Sequence, residues 1–217
     1  RNLIKHMSAY CSMIHGGLDL GFRDILTGGA KHCCTITNNL VPVDINTNFF
    51  NDKHLVGLRD INKKDQWHPG CNNCKSLELA GHPSMRTGMN DGLGIDGKTD
   101  LSGPARIDLM FDISCNLACR SCYSGASTFW QKHLKDNGLW DKPVYSDKNK
   151  DKVITALSNL DLSNLKQLVF CGGETLLGKE YWEVTQWLAD NVPNAKEQLT
   201  VCFQTNGTQP IPKKYFD

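Results

Sequence analysis

The sequence predicts an α/β fold: a small parallel β-sheet with crossover helices, preceded by an irregular cysteine-rich region. Three observations predict it. After residue 105, strands of period two alternate with stretches of helical spacing. A glycine- and proline-rich stretch, residues 81–104, separates this pattern from what precedes it. Five of the ten cysteines, Cys11, Cys33, Cys34, Cys71 and Cys74, fall before residue 80, where large apolar side chains are few. The expected organisation is a cysteine-rich domain over 1–80, a linker over 81–104 and an α/β domain over 105–217.

Within the first region, Ile25-Leu26-Thr27 and Ala30-Lys31-His32-Cys33 flank Gly28-Gly29, the pattern of a hairpin turn between short extended runs. Asn51 is placed to cap a short helix carrying Leu55 and Leu58. His68-Pro69-Gly70 turns the chain into Cys71-Asn72-Asn73-Cys74. So thin an apolar core calls for a staple such as a metal. After the linker, Ile107, Leu109, Phe111 and Ile113 alternate with Asp108, Met110 and Asp112, which makes a strand with one apolar face and one mixed face. Phe129, Trp130, His133 and Leu134 mark a helix closed by Gly138. Val153, Ala156, Leu157 and Leu160 mark another. Leu168-Val169-Phe170 is the second strand, ended by Gly172-Gly173. Tyr181, Val184, Trp187 and Leu188 give the next helix, and Leu199 to Gln204 the third strand. This order implies parallel strands with right-handed crossovers. Three strands make a small sheet, so the C-terminal part of the fold is expected to be missing.

Composition excludes several classes. Twenty-four Lys and Arg against 23 Asp and Glu leave a net charge of +1, without the basic excess of a nucleic-acid or membrane coat. A hydrophobic share of 40% argues against disorder of the whole chain. No apolar run approaches the ~18 residues of a membrane helix. The start, Arg1 to His6, carries neither a signal-peptide core nor an initiator Met, and reads as trimmed. Cysteines in such a chain are expected to hold metal rather than each other, with a disulfide framework as the alternative.

The sharpest motif is Cys115-Asn116-Leu117-Ala118-Cys119-Arg120-Ser121-Cys122, directly after the first strand of the α/β region. Three thiolates on one tight loop can face one metal centre. A structural zinc site wants a fourth ligand, and none follows at short range, His133 lying eleven residues on. Three ligands leave an open position, and soft thiolates suit an iron–sulfur cluster. Zinc with a remote ligand is the alternative.

Here the chain resembles the radical S-adenosylmethionine (SAM) superfamily, whose signature is this spacing of cysteines after a first strand. Cys171-Gly172-Gly173-Glu174 at the end of the second strand matches that family's Gly-Gly-Glu motif. Gln204-Thr205-Asn206-Gly207 ends the third strand, where many members carry Thr-Asn-Gly. The resemblance covers about residues 105–210 and implies a partial (β/α) barrel, truncated after about three strands. It implies that Cys115, Cys119 and Cys122 bind three irons of a catalytic [4Fe–4S] cluster. SAM would chelate the fourth iron. One electron would then break its C5′–sulfur bond, and the 5′-deoxyadenosyl radical would abstract a substrate hydrogen. Gly172 and Gly173 would admit the methionine moiety, Glu174 would pair with its amino group, and Asn206 would complete the cofactor contacts. Two departures stand out. Residue 121 is Ser where many members have an aromatic against the adenine, a place Tyr123 would take. The family barrel has six strands, and three are found.

Cys11, the pair Cys33-Cys34 and Cys71-x2-Cys74 resemble the twitch or SPASM-type auxiliary cluster domains of radical SAM enzymes. In many of these a Cys follows a hairpin Gly by five positions, which points from Gly28 to Cys33 and from Gly29 to Cys34. Adjacent strand residues face opposite ways, so one of the two is the ligand, with Cys33 preferred. Such a domain usually follows the barrel; here it precedes it. A zinc-ribbon-like knuckle is the alternative.

Plainer readings fit the rest. His15, His32 and His68 are read as surface or supporting groups rather than ligands. Cys171 and Cys202 are read as small core residues, Trp182 and Trp187 as packing. Lys148, Lys150 and Lys152 are read as a solvated face. The expected function is a cytoplasmic radical SAM enzyme with a second, auxiliary iron–sulfur cluster. Its electron donor would be a flavodoxin or ferredoxin, and its substrate a peptide or protein, with a nucleoside or small molecule as the alternative. Neither nucleic acid nor membrane is indicated. The competing expectation is a non-catalytic iron–sulfur or zinc-binding module for structure or electron relay.

Overall fold

A computed structural model describes residues 7–21, 29–36, 41–98, 100–144 and 150–213. The elements follow in chain order. Helix α1 (Ser12–Gly16) runs into strand β1 (Gly17–Leu20), and the short strands β2 (Gly29–Ala30) and β3 (Val41–Pro42) follow. Helices α2 (Lys53–Lys63), α3 (Asn72–Leu79) and α4 (Met85–Leu93) come next. The second half holds β4 (Arg106–Leu109), α5 (Thr128–Asp136), α6 (Lys150–Ser158), β5 (Gln167–Phe170), α7 (Lys179–Asn191), α8 (Ala195–Gln198) and β6 (Thr200–Phe203).

The main sheet has four parallel strands in the order β1-β4-β5-β6. Three were expected. The fourth, β1, comes from the cysteine-rich N-terminal region and pairs along the edge of β4. Its tetrapeptide Gly-Leu-Asp-Leu is too short for its period to announce a strand. The register aligns two apolar rows, Leu18-Ile107-Leu168-Val201 and Leu20-Leu109-Phe170-Phe203. Against them pack Val153, Ala156 and Leu157 of α6 and Tyr181, Val184 and Leu188 of α7, forming one core with Phe49, Phe50 and Leu55. The opposite rows are polar at the β1 and β4 end: Gly17-Arg106-Gln167-Thr200 and Asp19-Asp108-Val169-Cys202. Arg106 is buried there, 2.7 Å from Asp108 Oδ1.

Other expectations shift. The 81–104 stretch contains helix α4, started by a capping box between Ser84 and Thr87. Its glycines hid it: a Cβ at Gly88 or Gly92 would meet nothing, because both face open space. Met85, Met89 and Leu93, spaced by four, supply its apolar face. Helix α2 is capped by Asp52 accepting from the His54 N–H, rather than by Asn51. On α5 the buried side chain is Gln131, while Phe129 is exposed. Gly138 follows α5 with φ +70°, as its stop signal implied. The hairpin expected around Gly28-Gly29 lies partly outside the described residues. Within them, Gly29–Ala30 pairs with Val41–Pro42, and Lys31 bridges Asp19 of β1 in antiparallel fashion. Lys148 also lies outside them; Lys150 reaches Glu183 at 2.6 Å. Trp182 packs as expected, stacked on Phe203 at 4.7 Å. Among the described residues no helix is long and apolar enough to cross a membrane.

Candidate functional site

Parallel strands carry their C-terminal ends to one edge of the sheet, where the chain leaves each strand to start a crossover. Here the ends of β4, β5 and β6 each deliver one of the three motifs. The cysteine loop leaves β4 through Asp112-Ile113-Ser114. Asp112 is buried and caps the exit, its Oδ1 accepting from the Ser114 N–H and hydroxyl at 2.8 Å. The Cys115 N–H donates to Thr128 Oγ1 at 3.1 Å, which ties the loop to the first turn of α5. A turn joins the Cys122 N–H to the Cys119 carbonyl at 3.0 Å, and Trp130 Nε1 donates to that carbonyl at 3.1 Å. Cys115 and Cys122 are half-buried and Cys119 is exposed, so the thiols sit at an open mouth.

Gly172 and Gly173 lie hard against the exit of β4. Gly172 has φ +134°, and a Cβ on it would overlap the Asp112 carbonyl. A Cβ on Gly173 would overlap the Ser114 carbonyl. The Gly173 and Glu174 N–H groups donate to the Asp112 and Ser114 carbonyls at 3.3 and 2.7 Å. The glycines are thus required by the approach of two strand ends, whatever binds above them. Gly173→Ala is expected to cost about 1–3 kcal/mol as overpacking, lowering the urea midpoint. Gly88→Ala, facing open space within a helix, is expected to leave the midpoint at or above the parent value. Equal midpoints for parent and Gly173→Ala would refute the steric account.

Glu174 is held by the chain itself. It is 1% exposed. Its Oε1 accepts from Thr205 Oγ1 at 2.6 Å and the Leu176 N–H at 2.9 Å, and its Oε2 from the Asn206 N–H at 2.6 Å. The carboxylate therefore staples the ends of β5 and β6. Asn206, half-buried, donates from Nδ2 to Asn116 Oδ1 at 3.0 Å, and that nitrogen lies 4.0 Å from Cys115 Sγ. The three motifs form one connected unit. Tyr123 is 66% exposed beside them, with Leu117 and Leu177 also exposed nearby.

The N-terminal cysteines divide. Cys11, Cys33, Cys71 and Cys74 line one cavity together with Thr35, His68, Met85 and Arg86. Cys34 is exposed. Thr35 Oγ1 sits 3.1 Å from Cys33 Sγ and 4.0 Å from Cys74 Sγ. Burial pushes the Cys11 thiol up to about 12 and Cys71 up to about 11, and the neighbouring thiols add to both shifts. Hydrogen bonds from Cys34 and Thr35 pull the Cys33 thiol below its ordinary value. Cys11 and Cys71, which resist ionisation here, would be stabilised as thiolates by a cation placed beside them.

The histidines are supports. His32 is fully buried, its ring nitrogens 3.1 and 3.0 Å from the Gly17 and Leu55 carbonyls, and burial lowers it to about 4. His15 is buried rather than on the surface, with Nε2 on Asn62 Oδ1 at 3.0 Å. His68 Nδ1 accepts from the Gly70 N–H at 3.0 Å. Cys171 is half-buried, not a full core residue; burial and then Asp108 and Asp19 push its thiol up to about 12. Cys202 is likewise half-buried.

All ten cysteines are free thiols. Among the described residues no three His, Cys, Asp or Glu side chains are drawn close enough to hold a metal ion as they stand. Both donor sets nonetheless suit a thiophilic centre: three thiols on one eight-residue loop, and four around one cavity. Metal binding at either requires the side chains to close inward. The sequence did not signal Thr128 or Arg86, whose roles arise from tertiary neighbours, while Asp112 caps Ser114 through a local turn that its alternating strand pattern masked. Comparison with known protein families, with curated proteins and with solved structures finds no match to this chain.

Proposed function

We propose that the chain is a radical SAM enzyme, with a partial barrel built on the parallel sheet and a cysteine-rich auxiliary-cluster domain before it. The observation that carries this reading is the meeting of three motifs at one sheet edge: the cysteine loop after β4, Gly172-Gly173-Glu174 after β5 and Thr205-Asn206-Gly207 after β6. Hydrogen bonds join each to the next. Cys115, Cys119 and Cys122 would hold a [4Fe–4S] cluster. With SAM bound, that group would supply one-electron chemistry: an electron from an external donor, passed through it, would cleave the C5′–sulfur bond of SAM into methionine and a 5′-deoxyadenosyl radical. The residues' own work is positional. Gly172 and Gly173 keep the β4 and β5 exits close. Glu174 fixes Asn206 beside Cys115, and Tyr123, Leu117 and Leu177 offer an apolar rim for an adenine ring. Cys11, Cys33, Cys71 and Cys74 would hold the auxiliary cluster. A flavodoxin- or ferredoxin-type donor, a peptide or protein substrate and a cytoplasmic setting complete the proposal.

The test is anaerobic. The chain reconstituted with iron and sulfide, given SAM and dithionite, is expected to release 5′-deoxyadenosine. The Cys115, Cys119, Cys122 triple alanine variant is expected to release none while keeping the iron of the N-terminal centre. Equal product from both, or none from the parent, refutes the assignment. A second reading, a zinc or iron–sulfur module without catalysis, draws on the four-thiol cavity, which is also a complete tetrahedral zinc donor set. Stoichiometric zinc without sulfide would favour it.

A further inference from the structure

Arg86 is the permanent cation among the residues lining the four-thiol cavity. Its side chain is 11% exposed, and it sits in the first turn of α4. Nε donates to Glu78 Oε1 at 2.9 Å, and Nη2 pairs with Glu78 Oε2. Nη1 donates to the Tyr10 carbonyl at 2.6 Å, and the guanidinium plane lies 4.9 Å over the Trp67 ring. Each partner stands next to a cysteine. Tyr10 precedes Cys11. Glu78 is one helical turn beyond Cys74 on α3. Trp67 leads into the turn Pro69–Cys71. Ser84 donates its hydroxyl to Glu78 Oε1 at 2.6 Å, so the carboxylate is itself held in place.

A buried ion pair is weak evidence for stability, because desolvation offsets the attraction. Its placement is what needs explaining. Four thiolates around a cation carry excess negative charge, and a fixed guanidinium at the wall offsets part of it. Lysine could bring the charge but not the fork that joins Glu78 to the Tyr10 carbonyl.

We propose that Arg86 is the positioning residue of the four-thiol centre: it locks the segments bearing Cys11, Cys71 and Cys74 together and sets a positive charge against the bound group. This rests on the auxiliary-centre reading given above. The experiment uses the full chain with Cys115, Cys119 and Cys122 replaced by alanine, so that only the N-terminal centre takes up iron and sulfide. Two quantities are read: the rate of iron loss to an excess of ferrous chelator, and the midpoint potential. Arg86→Gln is expected to lose iron about 10-fold faster or more and to shift the potential negative, since a nearby cation favours the reduced state. Arg86→Lys is expected to lose iron faster as well but to keep the parent potential. Arg86→Gln matching the parent in both readouts overturns the proposal. So does an equal negative shift in both variants, which would leave the charge without a role. Should Arg86→Gln hold no iron, the Arg86→Lys potential decides: unchanged supports the proposal, shifted negative overturns it. A background chain that takes up no iron overturns the auxiliary-centre reading itself, and the proposal with it.

Discussion

Replacing Cys71 and Cys74 together by alanine is expected to release α3 and α4, which pack around the four thiols, to protease while the main core, which includes β1, Phe49 and Phe50, stays protected. The second core, which carries the cysteines, is thin. Its buried members are Cys11, Met13, Ile14, Cys33, Ile36, Leu58 and Leu93, with Cys71, Met85, Met89 and Ile95 packed against them. Two of the seven buried members are themselves thiols at the cavity. A structural thiolate centre contributes about 10–16 kcal/mol of folding free energy, against a net stability of about 5–15 kcal/mol for a whole domain. On the auxiliary-centre reading, removing two of the four ligands outweighs what the apolar contacts of the second core hold. First cuts are expected in α3, where Leu79 is 63% exposed and Leu77 is also exposed. The measurement is limited proteolysis under anaerobic conditions, with fragments mapped by mass. The Cys115, Cys119, Cys122 triple alanine variant should resist, because its loop stands on the main sheet, whose apolar core joins both halves of the chain. Protection of α3 and α4 in the Cys71, Cys74 variant would end the case for a metal staple.

Phe111→Ala is expected to cost about 3–5 kcal/mol, the usual range for a buried aromatic cut to alanine. Phe111 is fully buried, with the Tyr181 ring at 4.4 Å and the Phe170 ring at 6.3 Å. It stands two residues beyond β4, on the path into the cysteine loop. Tyr181 donates its hydroxyl toward the Asp112 and Cys171 carbonyls at 3.1 and 3.3 Å. A cavity at residue 111 thus loosens the ring that ties both strand exits. Urea denaturation reads the loss, and a change below about 1 kcal/mol would show that the three rings do not form the structural knot described.

The α/β half was legible because its strands are long enough to show their period and its helices present regular apolar faces. Ile107 and Leu109 point into the core, and Val153, Ala156 and Leu157 face them. The motif cysteines and glycines were legible because their spacing is local. Three features were not. β1 is four residues long and gains its strand character from β4, a partner far along the chain. Helix α4 carries Gly88 and Gly92, which lower helix propensity, and its capping box of Ser and Thr lacks the acidic residue that usually announces one. Glu174 reads from sequence as a ligand group, since nothing local shows that Thr205 and Asn206 fold back onto its carboxylate. The choice between Cys33 and Cys34 likewise depended on which face the following turn buries.

The edge pairing of β1 with β4 has a consequence for how the chain acquires its structure. Gly17 and Arg106 lie about 90 residues apart, whereas β4 and β5 lie about 60 apart and β5 and β6 about 30. Closing the longest loop costs the most chain entropy, and contacts of high sequence separation form late. During synthesis the first strand emerges long before its partner exists. Until β4 is made, β1 lacks its sheet partner, while Lys31, which bridges it, and the segments bearing the four thiols lie earlier in the chain. Early loading of that centre would shorten the wait: a clasped N-terminal segment presents β1 already extended, and the sheet then grows from β4 outward to meet it. Refolding started in the presence of iron and sulfide should therefore run faster than refolding followed by loading, with the gain confined to the step that pairs the two strands.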